Sequence, residues 1–151
     1  MVGEKFSLDT LVFGLAILGY TGLGVCTVLH GLRKRTLAVS GLTALVVTAH
    51  VLGVWAHRFG WSLDEATQNG WRGFVLFHLA YLLIVLAPFL PKRSAMLTPL
   101  AFVIVSGGAI GAAFRYEVVA WLRMPVLLVA CATLMGAGLA HYRTWRDQRA
   151  V

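Results

Sequence analysis

The sequence predicts an all-α fold: a polytopic integral membrane protein built as a five-transmembrane-helix bundle. Three observations predict it. Of the 151 residues, 59% are hydrophobic and only 13% charged, against about 45–50% and about 25% in soluble domains. The mean hydropathy is +0.80. The charges collect in short clusters, and the stretches between them approach the roughly 20 apolar residues that cross a hydrocarbon core about 30 Å thick. A soluble enzyme, a disordered tail and a nucleic-acid-binding module are thereby excluded, despite the net charge of +7.

Apolar runs and charged punctuation place the spans at about 10–32, 36–57, 71–90, 95–114 and 118–142, all within a single membrane domain covering 1–151. The first run ends in Arg33-Lys34-Arg35. The segment before it, Met1–Thr10, is mildly acidic, unlike the basic start of a signal peptide, so the first span is expected to stay in the membrane. Proline is tolerated best where backbone groups are already unpaired. On that ground Pro88 and Pro91 should close the third span, Pro99 should lie in the first turn of the fourth, and Pro125 should lie early in the fifth. The connector Arg115-Tyr116-Glu117 requires a tight hairpin. Between the second and third spans, Ser62-Leu63-Asp64-Glu65 reads as a capping box, which predicts a short interfacial helix at about 63–69 with Gly70 ending the turn.

Five spans put the loops on alternating sides. One side holds Arg33, Lys34, Arg35, Lys92, Arg93, Arg143, Arg146 and Arg149 against the single acid Asp147. The other holds Lys5, Arg58, Arg72, Arg115 and Arg123 against Glu4, Asp9, Asp64, Glu65 and Glu117. Lys and Arg in short loops face the cytoplasm, which predicts an outside N-terminus, a cytoplasmic C-terminus and residence in a prokaryotic plasma (inner) membrane. The positive charge is then a topology signal and calls for no nucleic acid. Trp61, Trp71 and Trp121 fall at the outer interface and Trp145 at the inner one, where amphipathic rings concentrate.

Glycines concentrate in the first span (Gly14, Gly19, Gly22, Gly24) and the fourth (Gly107, Gly108, Gly111). In lipid, small residues let helix backbones approach, so these read as packing faces, with Gly107 and Gly111 forming a GxxxG pair. Cys26 and Cys131 sit in apolar stretches and read as small buried hydrophobes.

No Asp, Glu, Lys or Arg falls in mid-span, which argues against a proton-coupled carrier. Histidines do fall there. At about 1.5 Å rise per residue, His50 lies roughly 13 Å and His78 roughly 10 Å below the outer boundary. His30 and His141 lie a few residues inside the basic clusters at the inner end. Paired imidazoles at matched depth on different helices are what axial ligation of haem b requires. His50 and His78 form one candidate pair, His30 and His141 the other, and His57 is an alternative outer ligand. Gly53 beside His50 and Gly138 beside His141 leave those helix faces bare for a porphyrin plane. Arg58 and Arg72 outside, with Arg33 and Arg143 inside, would hold the propionates through charge-assisted hydrogen bonds. A copper or zinc site from His50, His57 and His78 is a lesser alternative.

This span count and histidine placement resemble di-haem cytochrome b membrane subunits. The resemblance is architectural, without a shared motif. It implies a membrane-embedded electron-transfer subunit with one or two bis-histidine haems, linked to quinone and partnered by other membrane or redox subunits or by copies of itself. Small size, short loops and glycine-rich faces fit equally a cofactor-free structural or assembly subunit of a larger membrane complex.

Overall fold

The computed structural model describes residues 2–34, 36–68 and 70–149. Arg35 of the basic loop and Asn69 at the predicted end of the interfacial helix lie outside the described residues. The described chain is helical throughout: α1 (Val2–Gly31), α2 (Leu37–His57), α3 (Leu63–Thr67), α4 (Trp71–Leu86), α5 (Pro91–Arg115) and α6 (Arg123–Arg149), with 3-10 turns at Ala87–Phe89 and Glu117–Leu122. Five segments are long and apolar enough to cross a membrane: Leu8–Gly31, Leu37–His57, Trp71–Phe89, Pro91–Arg115 and Val119–Arg149.

The spans come where expected, and three of their boundaries move. The helix containing the first span begins at Val2, well before the apolar run. Pro91 opens α5 instead of closing the preceding span. The break itself comes at Leu90, at φ −119° and ψ 64°, and proline's fixed φ and missing N–H suit the first helical position. Lys92 and Arg93 therefore lie in the first turn of α5, and Pro99 lies inside the helix instead of in its first turn. The connector after Arg115 continues as a 3-10 turn before α6, which runs on past Tyr142 to Arg149. There the Arg149 guanidinium lies 4.0 Å from the Trp145 ring centroid.

The short helix forms as the sequence signals. Ser62 caps it by accepting from the Glu65 amide at 3.3 Å. The Glu65 carboxylate accepts from the Gln68 side-chain amide, and Gly70 leaves the turn at φ +102°, a conformation that glycine adopts without penalty.

Helix α1 is the centre of the bundle, packing against α2, α5 and α6, while α4 bridges α2 and α5. Glycines set these approaches. A Cβ on Gly24 would collide with Thr133 Oγ1 of α6, one on Gly31 would come within 3.1 Å of the Ala140 Cβ, and one on Gly53 within 3.0 Å of Val12. Beside these seams the core gathers around Tyr20 and Phe102, whose rings stack with centroids 5.3 Å apart. The Tyr20 hydroxyl also meets Ser106 Oγ at 2.6 Å, tying α1 to α5.

Candidate functional site

Each of the candidate histidines has a protein partner or an open face. His50 of α2 points at α1, where its Nδ1–H donates to the Val12 carbonyl oxygen at 2.8 Å. His78 of α4 donates from Nδ1–H to the Phe74 carbonyl one turn back, also at 2.8 Å. Its Nε2 accepts from the Trp55 indole N–H of α2 at 3.3 Å. A carbonyl can only accept, so both imidazoles carry a proton on Nδ1, and the indole donor leaves the lone pair of His78 on Nε2. His30 Nε2 lies 3.2 Å from the Thr36 hydroxyl. His57 and His141 are exposed on the bundle surface.

An aromatic cluster surrounds the C-terminal end of α2. Trp55 meets Phe74 and His78 edge-on and stacks on Trp61, and the Phe74 and His78 rings lie 4.0 Å apart at their centroids. Of this cluster, sequence reading singles out Trp61 and His78 but not Trp55. The signal available was an indole about three residues inside the span end, whose N–H must find an acceptor where water is scarce.

His50 and His78 turn in different directions. His50 lies in the α1–α2 seam, while the α2 residue that meets His78 is Trp55, five positions further on. At 3.6 residues per turn that is about 140° round the helix. The two imidazoles therefore open on different faces of α2. The space beside Gly53, expected to clear a porphyrin plane, is taken by the Val12 side chain. At the other end, His30 turns to Thr36 and His141 faces outward, while between them Gly31 and Ala140 bring α1 and α6 together. Gly138 does face open space. For haem, then, the donor chemistry of His50 and His78 fits, while their partners differ: His50 meets the α1 backbone and His78 the Trp55 indole.

The expected propionate partners Arg58, Arg72, Arg33 and Arg143 are all exposed. Arg58 lies with its guanidinium carbon 5.4 Å from the Phe13 ring centroid, a cation–π contact that joins α1 to the end of α2. Among the described residues, no group of three or more His, Cys, Asp or Glu side chains is placed to hold a metal ion.

The fold and these contacts define a class, a bundle with five described helices long and apolar enough to span a membrane, in which His50 and His78 bond to backbone and side-chain groups of the bundle. Comparison of the chain with protein-family models, with curated proteins and with solved structures found no match.

Proposed function

We propose that this chain is a structural or assembly subunit of a larger membrane complex, inserted in a prokaryotic plasma membrane with its N-terminus outside and its C-terminus cytoplasmic. The observation that carries the reading is the bonding of the span histidines. His50 ties α2 to α1 and His78 ties α4 to α2 through Trp55, so each imidazole acts as a cross-link between spans. Such side-chain bonds are a normal means of joining helices where burial in lipid supplies no hydrophobic drive. The glycines support the second half of the reading. Gly19, Gly22, Gly24, Gly31, Gly53, Gly108 and Gly136 are met by side chains of neighbouring helices, whereas Gly14, Gly41, Gly73, Gly138 and the spaced pair Gly107 and Gly111 of α5 meet nothing within 4 Å. A partner span is the natural occupant of that face.

The test is native electrophoresis and in-membrane cross-linking of the tagged chain after mild solubilisation. The reading requires migration above the monomer, lost when Gly107 and Gly111 are both replaced by Leu. A chain that is monomeric in the native membrane refutes it.

A second reading has its own supporting observation. The Nδ1–H tautomer of His50 and His78 leaves Nε2 as a lone-pair donor, the arrangement that a histidine ligand to haem iron adopts when a carbonyl orients its other nitrogen. On that reading the chain is a cytochrome b-like, quinone-linked electron-transfer subunit, and a haem b would supply one-electron transfer when bound. His78 would have to release Trp55, and the spans would have to turn so that the imidazoles share a gap. A Soret band in the purified protein, lost in His50→Ala and His78→Ala and retained in His57→Ala, would replace the first reading with this one. Loss of a second haem equivalent in His30→Leu and His141→Leu would add the inner site.

A further inference from the structure

A small cavity of ≈ 10 Å³ lies inside the bundle, between α1, α2, α4 and α5. Its walls are Leu23 and Ile84 on the apolar side and Cys26, Ser40, Thr43 and Thr98 on the polar side. Thr98 is the telling residue. It is 1% exposed, and its hydroxyl is the buried side-chain nitrogen or oxygen that has no hydrogen-bond partner among the described residues. The other helical hydroxyls nearby behave differently. Thr43 donates to the Val39 carbonyl at 2.8 Å and Ser40 to the Leu37 carbonyl at 3.1 Å. Thr27 likewise donates to Leu23 at 2.9 Å.

We propose that this cavity is a binding site for one water molecule. Its volume is about that of one water-sized probe, the minimum for such a site, and a buried water needs two to four polar partners. Proton accounting supplies them. Ser40 and Thr43 have spent their protons on helix carbonyls and turn only lone pairs toward the cavity. Thr98 has a proton to give. A water there accepts from Thr98 Oγ1 and donates to Ser40 Oγ and Thr43 Oγ1, which leaves no hydroxyl proton without an acceptor. Cys26 Sγ, 4.0 Å from Thr43 Oγ1, closes the fourth side. The water thus joins α2 to α5, at a level about 10 Å inside the end that carries Arg33, Lys34, Lys92 and Arg93, since Thr98 is seven residues into α5. A hydrated cation of similar size is less well served, because hard cations take six or more oxygen ligands and three side-chain hydroxyls line this wall.

The test is Thr98→Val, which keeps the shape and deletes the hydroxyl, read by two measurements on the full chain in detergent. The first is the unfolding midpoint. If a water bridges Thr98 to α2, the substitution strips it of a partner and the midpoint falls. If the cavity is dry, the substitution removes an unpaired buried hydroxyl and the midpoint rises. The second is the infrared difference spectrum between wild type and variant. An O–H stretching band that shifts when the solvent is H2¹⁸O must be present in the wild type and absent in Thr98→Val. Thr98→Ser, which keeps the hydroxyl, must retain the band and guards against a variant that fails to fold. A midpoint that rises or stays level, a missing isotope-sensitive band, or a midpoint that depends on sodium against choline would each overturn the assignment.

Discussion

Replacing His50 separates its two ring nitrogens, and with them the two readings of the bundle. In His50→Leu the side chain keeps roughly its bulk and loses the donor to the Val12 carbonyl, a bond of 2.8 Å between α2 and α1. Measured side-chain hydrogen bonds inside membranes average about 0.6 kcal/mol and reach about 1.7 kcal/mol. The Val12 carbonyl keeps its place in the backbone ladder of α1, so it is not orphaned and the loss stays within that range. The unfolding constant should therefore rise about 3-fold to about 16-fold, at about 1.4 kcal/mol per decade. In His50→Asn the side-chain amide nitrogen takes the place of Nδ1 and can still donate to Val12, while nothing occupies the place of Nε2. The structural reading predicts that Asn restores at least half of the stability lost with Leu. SDS titration of the folded protein in mixed micelles, followed by tryptophan fluorescence, measures both variants. If Asn and Leu are equally destabilised, or if neither is, His50 is not a tie between α1 and α2.

Three further outcomes are expected. Trp55→Phe keeps the ring but deletes the N–H that reaches His78 Nε2 at 3.3 Å; because that bond is long, the same titration should show a loss of at most about 0.6 kcal/mol, and a haem-binding chain would instead gain affinity as Nε2 is freed. Gly24→Ala should cost about 1–3 kcal/mol by overpacking and become nearly neutral in a Thr133→Ala background, where the nearest neighbours of the new Cβ are 3.5 and 3.6 Å away; additive costs in the double variant would show that the α1–α6 seam is not set by this contact. In a background with Cys26 and Cys131 replaced by Ala, a membrane-impermeant maleimide applied from outside should label a cysteine placed at Gln68 and spare one at Arg93, and the reverse pattern would invert the topology.

The number of spans and the short cap were open to sequence reading because both are local. A run of apolar residues must match the thickness of the hydrocarbon core wherever its neighbours lie. Ser62 meets the Glu65 amide three residues along the backbone, without help from the bundle. The depth of each histidine was likewise set by counting residues along its helix. What counting could not supply was rotation. In α2, both faces mix apolar side chains with hydroxyls, Thr43 toward Cys26 of α1 and Thr48 toward Tyr81 of α4, so no contrast between wet and dry faces tells which way His50 turns. Rotation is decided where helices touch: Val12 against Gly53, Thr133 against Gly24, Ala140 against Gly31. Those pairings place His50 in one seam and Trp55 with His78 in another, and they close Thr98 into the bundle with an unspent proton. Sequence alone therefore determined which residues lie in the long apolar helices and at what level along each, because hydrophobic length is a property of one helix. Only the tertiary structure decided which of them face one another, because that depends on steric fit between two helices.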